Sequence, residues 1–380
     1  MRLILFLFLG ALAAAFLPIL AGRLFREWKY KIRSERGIQK AGYVRIGGIE
    51  QYIQMRGQDI ANPVILMLHG GPGAHMAFYS YYWQTPLEDR YTIVHYDQRG
   101  CGNTYYHNLG AAEKPTLELL LSDLDEVIEY IRREYGKDKV ILAGHSWGSF
   151  MGSIYASAHP EKVAAYIGVG QEVDFLEAEK VAAEEASRLA IAAGKDGHAQ
   201  RIGEMYQKIR SNSKFERSEF AAFMKLRKLT GAYLPHGHSI KVHVGLFSPY
   251  VTLHEARWFL GALFHAKPFF ESHSHLYQML FSGENASIYA YPTCYEMPML
   301  FIAGRYDWVT PSALVQAYMR DVSAPEKEFL WIDNAGHAPF MDQPAAFAAA
   351  IRDGLDRALG EPGRDAKPEL LCYNIIDNLC

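Results

Sequence analysis

The chain has 380 residues, with 39 basic and 42 acidic side chains and a formal net charge of −3. That length can bury a full core plus a sizeable insertion, and a 49% apolar, 21% charged composition is that of an ordinary globular protein and not of a disordered or fibrous chain. The near-zero charge gives no electrostatic reason to expect a nucleic-acid partner. Cys101, Cys294, Cys372 and Cys380 are too few and too unevenly spaced for a disulfide framework or a zinc site.

From Leu3 to Gly22 there is no charge, which is about the 20 residues a helix needs to cross a bilayer. Arg23, Arg26, Lys29, Lys31 and Arg33 follow at once. The expectation is a single N-terminal membrane anchor, with the basic flank and the domain after it facing the cytoplasm by the positive-inside rule. The alternative is a cleaved signal peptide, with Arg2 as its n-region and Ala13-Ala14-Ala15 as its cleavage site. In that exported case Asn285-Ala286-Ser287 is a candidate glycosylation acceptor.

Tyr43 to Ile46 and Gln51 to Met55 are short runs of strand type around Gly47-Gly48, predicting an edge hairpin where the globular part begins. Val64 to Leu68 and Thr92 to Tyr96 are continuous apolar runs, as in central strands covered on both faces. They end in His69-Gly70-Gly71-Pro72-Gly73 and in Asp97-Gln98-Arg99-Gly100-Cys101-Gly102. Between Thr116 and Tyr135, Leu117, Leu120, Leu121, Leu124, Val127, Ile128 and Ile131 have helical spacing, with Thr116 as N-cap and Gly136 past the end. A strand at Val140 to Ala143, a helix at Trp147 to Ala158 and a strand at Ala164 to Val169 complete a βα alternation. That order implies right-handed crossovers and a mostly parallel sheet.

From Glu172 to Tyr295 the pattern is helical, with stretches at Val173 to Ala193, Gln200 to Ile209, Phe220 to Leu229 and Thr252 to Phe264. The last opens with the capping box Thr252-x-x-Glu255. An all-helical insertion between sheet strands reads as a cap over the sheet's carboxyl edge, where ligands of open α/β sheets bind. Its histidines, His236, His238, His243, His254, His265, His273 and His275, form no helical metal-ligand pair and are expected at surface or packing positions. The sheet resumes at Met299 to Ile302 and at Phe329 to Ile332, and a last helix, Ala345 to Leu359, covers it. The tail beyond Gly360 receives no role.

Gly144-His145-Ser146-Trp147-Gly148, between a buried strand and a small-residue helix, has the context of a nucleophile elbow, a turn sharp enough to lift Ser146 above the sheet. Downstream, Asp307 and His337 each fall just past a strand end, which gives the order Ser, Asp, His. In such a set the His takes the Ser proton and the acid holds the imidazole. Asp333 is the competing acid, set aside because it is so near His337 in sequence. The tetrahedral oxyanion of acyl transfer needs two backbone N–H donors, and Trp147 and Gly71 are the candidates; the competing reading of the glycine-rich stretch is a plain Gly-Pro turn. Asp97 and Arg99 are expected to be structural, as an ion pair or a loop brace beside the site.

The His69 to Gly73, Asp97 to Gly102, Gly144 to Ser149, Gly304 to Asp307 and Gly336-His337 motifs together resemble the proline iminopeptidase (prolyl aminopeptidase) family of α/β-hydrolases, from about Gly42 to Leu359. The resemblance implies an α/β-hydrolase fold: a mostly parallel central sheet with helices on both faces and an inserted all-helical cap. It implies Ser146, Asp307 and His337 as the triad and a cap that selects the substrate. The Trp- and Glu-rich cap motif associated with binding the substrate's free amine is absent. The expected divisions are residues 1–36 for anchor and basic segment, 37–171 and 297–362 for the two parts of the core, 172–296 for the cap and 363–380 for the tail.

The expected activity is a serine hydrolase working through an acyl-enzyme, of proline iminopeptidase type, releasing N-terminal residues from small peptides without metal or cofactor. A carboxylesterase or lactonase and a non-catalytic ligand-binding protein are the alternatives. Glu172, where the chain turns from sheet to cap, is a candidate anchor for the substrate's free amine; otherwise it simply starts the first cap helix.

Overall fold

The computed structural model describes residues 2–110, 113–211, 215–235, 237, 241–264, 267–283 and 285–360, with residues 2–13, 15 and 262 as backbone only. Its centre is an eight-stranded sheet in the order β1-β2-β4-β3-β5-β6-β7-β8. The strands are β1 (Ile38–Ile46), β2 (Ile49–Gly57), β3 (Val64–Leu68), β4 (Thr92–Tyr96), β5 (Val140–Ser146), β6 (Val163–Gln171), β7 (Met299–Gly304) and β8 (Lys327–Ile332). β1 and β2 form the antiparallel edge hairpin, β2 lies antiparallel to β4, and every later pairing is parallel.

The helices are α1 (Arg2–Lys29), α2 (Tyr81–Gln84), α3 (Gly102–His107), α4 (Leu117–Tyr135), α5 (Trp147–Ala158), α6 (Phe175–Ala192), α7 (Asp196–Arg210), α8 (Arg217–Thr230), α9 (Val242–Leu246), α10 (Leu253–Leu263), α11 (Lys267–Ser282), α12 (Ser312–Asp321), α13 (Pro339–Asp342) and α14 (Pro344–Leu359). Six of them, α6 to α11, intervene between β6 and β7. Tyr277 and Ser272 of α11 donate hydrogen bonds to Pro72 O and Gly100 O, in the loops after β3 and β4. The helical insertion therefore touches the sheet at its carboxyl edge.

The continuous apolar strands are explained by cover on both faces. Alternate residues of one strand point to opposite sides. Leu66, Leu68 and Leu142 join a cluster with Leu124, Ile128 and Phe150 of α4 and α5. Ile65, Met67 and Ile141 join another with Phe347, Ile351 and Leu355 of α14. On α4, Leu120, Leu124, Val127, Ile128 and Ile131 are all buried, each worth about 1.5–3 kcal/mol of apolar transfer. Thr116 Oγ1 accepts from Leu119 N, and Gly136 ends the helix in the left-handed region at φ 59°.

The structure corrects the expected membrane anchor. Among the described residues no helix is long and apolar enough to cross a membrane. The described side chains of α1 include Arg23, Arg26, Glu27 and Lys29. These basic groups instead tie α1 to the protein. Arg23 Nη2 donates to Val251 O at 3.3 Å, and Arg26 donates to His243 O at 2.9 Å and to the Tyr81 hydroxyl. The transmembrane assignment and the cytoplasmic-facing orientation built on it fall together. Cys372 and Cys380 of the tail, and His236, His238 and His265, lie outside the described residues.

Candidate active site

β5 runs straight into α5, and Ser146 joins them with φ 53° and ψ −122°. A non-glycine residue in that region is strained, and such strain persists only where the surroundings over-determine it. The surroundings here are close backbones. A Cβ on Gly144 would lie 2.3 Å from Gly148 O, and one on Gly148 would lie 2.4 Å from Leu68 O. Both flanking positions must therefore be glycine for β5, α5 and β3 to approach. Ser146 is 7% exposed.

Asp307 follows β7 and is fully buried, yet every one of its acceptor directions is used. Its Oδ1 accepts from Val309 N and Thr310 N at 3.0 Å each, and its Oδ2 accepts from Thr310 Oγ1 at 2.8 Å. His337 Nδ1 donates to the same carboxylate at 3.0 and 3.1 Å. Burial by itself would raise this carboxyl, but His337 and the Thr310 hydrogen bonds outweigh it and hold it below the usual aspartate range. With Nδ1 carrying the proton, Nε2 of a neutral His337 is the basic nitrogen. Asp333, the rival acid, pairs with Arg305 at 2.7 Å on the surface instead.

The elbow and the Asp307–His337 pair meet through neighbours. His145 Nε2 donates to His337 O at 2.7 Å, and the two rings lie 4.7 Å apart. Ser146 lies opposite Gln171 in the β5–β6 register. A Cβ on the adjacent Gly170 would lie 3.0 Å from Asp307 Oδ2 and 3.3 Å from His337 Nδ1. No hydrogen bond joins Ser146 Oγ to His337 among the described contacts; such bonds are often long before substrate binds. His145 stays neutral, since burial lowers its pKa to about 3.

Beside Ser146 runs the loop after β3. A Cβ on Gly70 would lie 3.1 Å from Ser146 Cβ. The loop is stapled to the elbow by Gln98, whose N and Nε2 donate to His69 Nε2 and His69 O at 3.1 Å each, while its Oε1 accepts from the Trp147 indole at 3.2 Å. Trp147 opens α5, so its backbone N–H has no intrahelical acceptor. Asp97 and Arg99 are structural but do not pair with each other. Arg99 binds Asp123 through two contacts of 2.9 Å, and Asp97 accepts from Asn103 N at 2.8 Å.

Glu172 is 5% exposed just past β6, and its Oε1 has no hydrogen-bond partner. It does not start the first helix of the insertion. That task falls to Asp174, which accepts from Glu177 N at 2.9 Å, whereas Glu172 N donates to Ser149 Oγ. Burial raises the Glu172 carboxyl to about 8, opposed by Arg227 and reinforced by Glu179. Arg227 of α8 itself pairs with Glu179 of α6 at 2.9 Å. Sequence reasoning passed over this pair, since residues on separate helices carry no shared spacing. Thr310 was also passed over, although a hydroxyl three residues after an aspartate is a local turn signal. A cavity of about 330 Å³ lined by Met299, Leu300, Lys327 and Arg357 lies at the amino ends of β7 and β8, away from these groups.

With this sheet, elbow and buried acid–histidine pair in view, the class of protein is set: residues 63–344 match the alpha/beta hydrolase fold family, and the chain belongs to it and is a hydrolase. Within that family the resemblance to the proline iminopeptidases holds. The chain is 28% identical to the probable aminopeptidase YbaC of Bacillus subtilis (strain 168) over 80% of its own length and 93% of that protein. It is 37% identical to the proline iminopeptidase of Neisseria gonorrhoeae over 33% of its length, spanning 38% of that relative. Among solved structures, a proline iminopeptidase-related protein of Thermus thermophilus superposes with a TM-score of 0.54 at 19% identity, covering 85% of this chain and 99% of that one. A membrane phospholipase A described as a bacterial virulence factor gives 0.60 at 17% identity, covering 94% and 97%. At those identities the two structures speak for the fold alone.

Proposed function

We propose that the chain is a serine hydrolase of aminopeptidase type, releasing N-terminal residues from short peptides, with residues 172–296 as the cap that selects the substrate. The observation that carries the reading is the fully bonded Asp307–His337 pair at a strained Ser146. In the proposed reaction Ser146 Oγ attacks the scissile carbonyl while His337 Nε2 takes its proton. Gly71 N–H and Trp147 N–H receive the developing oxyanion, and His337 returns the proton to the leaving amine as the C–N bond breaks. Water, activated by the same imidazole, then hydrolyses the acyl-enzyme. Asp307 keeps the imidazole in the required tautomer throughout.

Glu172 is proposed as the anchor for the substrate's free amine. Arg227 already balances Glu179, so the proton on Glu172 leaves the group neutral as a whole. A substrate ammonium can take that proton's place, with release of the proton and formation of a buried charge pair, satisfying Glu172 Oε1. The test has two stages. A fluorophosphonate should label Ser146, and its failure to do so in the wild type would remove the mechanism. The enzyme should then turn over an unblocked aminoacyl arylamide faster than its N-acetylated analogue; equal rates on both and on a simple acyl ester would leave a carboxylesterase.

A further inference from the structure

The loop between β3 and the short helices after it carries the proposed oxyanion donor Gly71, but little within the loop defines its shape. Gly71 and Gly73 lie at φ 121° and 87°, where glycine has no intrinsic preference to hold it. Inside the loop, the described backbone hydrogen bonds include Ala74 N to Gly70 O at 3.1 Å and none donated by Gly71. Gln98 fixes the start of the loop at His69, and His69 Nδ1 donates to Gly70 O at 2.9 Å; beyond Gly71 the partners of Pro72 and Gly73 come from the helical insertion. Trp258 of α10 is 2% exposed, and its indole Nε1 donates to Gly73 O at 2.8 Å. The Tyr277 hydroxyl of α11 donates to Pro72 O at 3.4 Å. The buried His273 ring fills the space a Cβ on Gly73 would need, with its nearest atom 2.7 Å from that position.

Two helices of the insertion thus donate to consecutive carbonyls directly after Gly71. A buried indole N–H needs an acceptor in any case; what bears on the site is that this acceptor is Gly73 O, two residues after Gly71. A donor that must point at an oxyanion has to be fixed before the charge develops, since reorganising it during the reaction would forfeit the stabilisation. We propose that Trp258, assisted by Tyr277, is a positioning residue that holds the oxyanion loop in its working shape from the cap side. Seating of α10 and α11 would then complete the site, and a lifted cap would leave Ser146 present but poorly assisted. This inference rests on the serine-hydrolase reading above.

Trp258→Phe keeps most of the ring and removes the donor; Tyr277→Phe removes only the hydroxyl. With p-nitrophenyl acetate as substrate, Trp258→Phe should lower kcat about tenfold with KM within about twofold, short of the 10²–10³ lost when a direct oxyanion donor is removed. Phenylboronic acid, which forms a tetrahedral adduct with the serine, should bind more weakly by a similar factor. Tyr277→Phe should show the same split at about threefold, and it decides the matter if Trp258→Phe does not fold. Folded variants whose kcat and boronate affinity both stay at the wild-type values, or whose KM rises with kcat intact, would overturn the proposal. Labelling of the wild type by a fluorophosphonate separates the two levels: labelled wild type with unchanged variants refutes only the role of Trp258, whereas an unlabelled, inactive wild type overturns the hydrolytic reading and this inference with it.

Discussion

The ends of β6 and β7 each carry a buried carboxyl group within three residues of the strand, and the two are built in opposite ways. Asp307 accepts from two backbone N–H groups, a threonine hydroxyl and an imidazole. Glu172 has one oxygen without any partner, and the nearby guanidinium of Arg227 is already bonded to Glu179. The first environment keeps an anion charged in a dry place; the second favours the neutral acid. Burial is the same in both, so the neighbours decide the charge: His337 and the hydrogen bonds at Asp307, and carboxylates opposed only by Arg227 at Glu172. The end of β7 is a finished structure, and at the end of β6 one carboxyl oxygen of Glu172 has no partner among the described residues.

The finished side breaks hardest. Ser146→Ala or His337→Ala should each lower kcat by about 10⁴–10⁶, with the double variant losing little more, because the residues act as a unit. Additive losses in steady-state assays would argue against a shared proton relay. Asp307→Asn removes the anion but keeps the shape, and a loss of about 10⁴ in kcat is expected from the wrong imidazole tautomer. A loss under tenfold would mean that the Asp307 environment serves stability alone.

The Glu172 side should show in selectivity. Glu172→Gln is expected to cost about 10- to 100-fold in kcat/KM on an unblocked aminoacyl arylamide and under twofold on the N-acetylated analogue. Because the Glu172 proton is held up to about pH 8, the wild-type preference for the free amine should strengthen as pH rises from 7 toward 8 and the carboxylate forms. The variant's preference should not follow that rise. Matching profiles for both proteins would return Glu172 to a structural role.

A second pair of acids sharpens the comparison with the smallest effect. Glu255 of α10 and Asp97 after β4 are both buried, and each has an oxygen without a partner. Burial raises both carboxyls, Glu255 to about 7, and Glu255 further opposes ionisation of Asp97. Unfolded glutamate titrates near 4.3. The folded state therefore holds this proton more tightly, so the stability it contributes is full below about pH 4.3 and is lost as pH rises through about 7. Glu255→Gln preserves the capping box, in which Thr252 N donates to residue 255 at 2.7 Å. Between pH 5 and 8 the wild-type Tm should fall a few degrees more than that of the variant. Parallel melting profiles would show that the pair is not titrating there.

Much of this was legible in the chain itself, and the reason is local. Continuous apolar runs such as Val64–Leu68 report two-sided cover, and the spacing from Leu117 to Ile131 reports one buried helix face. Gly144 and Gly148 are set by backbones that only glycine lets approach within a few residues of Ser146. The order of Ser146, Asp307 and His337 named the groups without showing how they are held. The Thr252–Glu255 box also formed as its spacing required. The apolar N-terminal run misled, since among the described residues no helix is long and apolar enough to cross a membrane, and hydropathy does not show that Arg23 and Arg26 reach Val251 and His243 on a distant part of the chain.

What only the tertiary structure decided are the contacts between segments far apart in sequence. Arg99 chose Asp123 over Asp97, Asp174 took the helix start from Glu172, and Arg227 found Glu179 across two helices. Trp258 reached a carbonyl 185 positions away. Periodicity and capping follow from neighbours along the chain, so a sequence displays them. The partner of a buried charge or of an indole N–H is set by which surfaces pack together, and packing is a property of the whole fold.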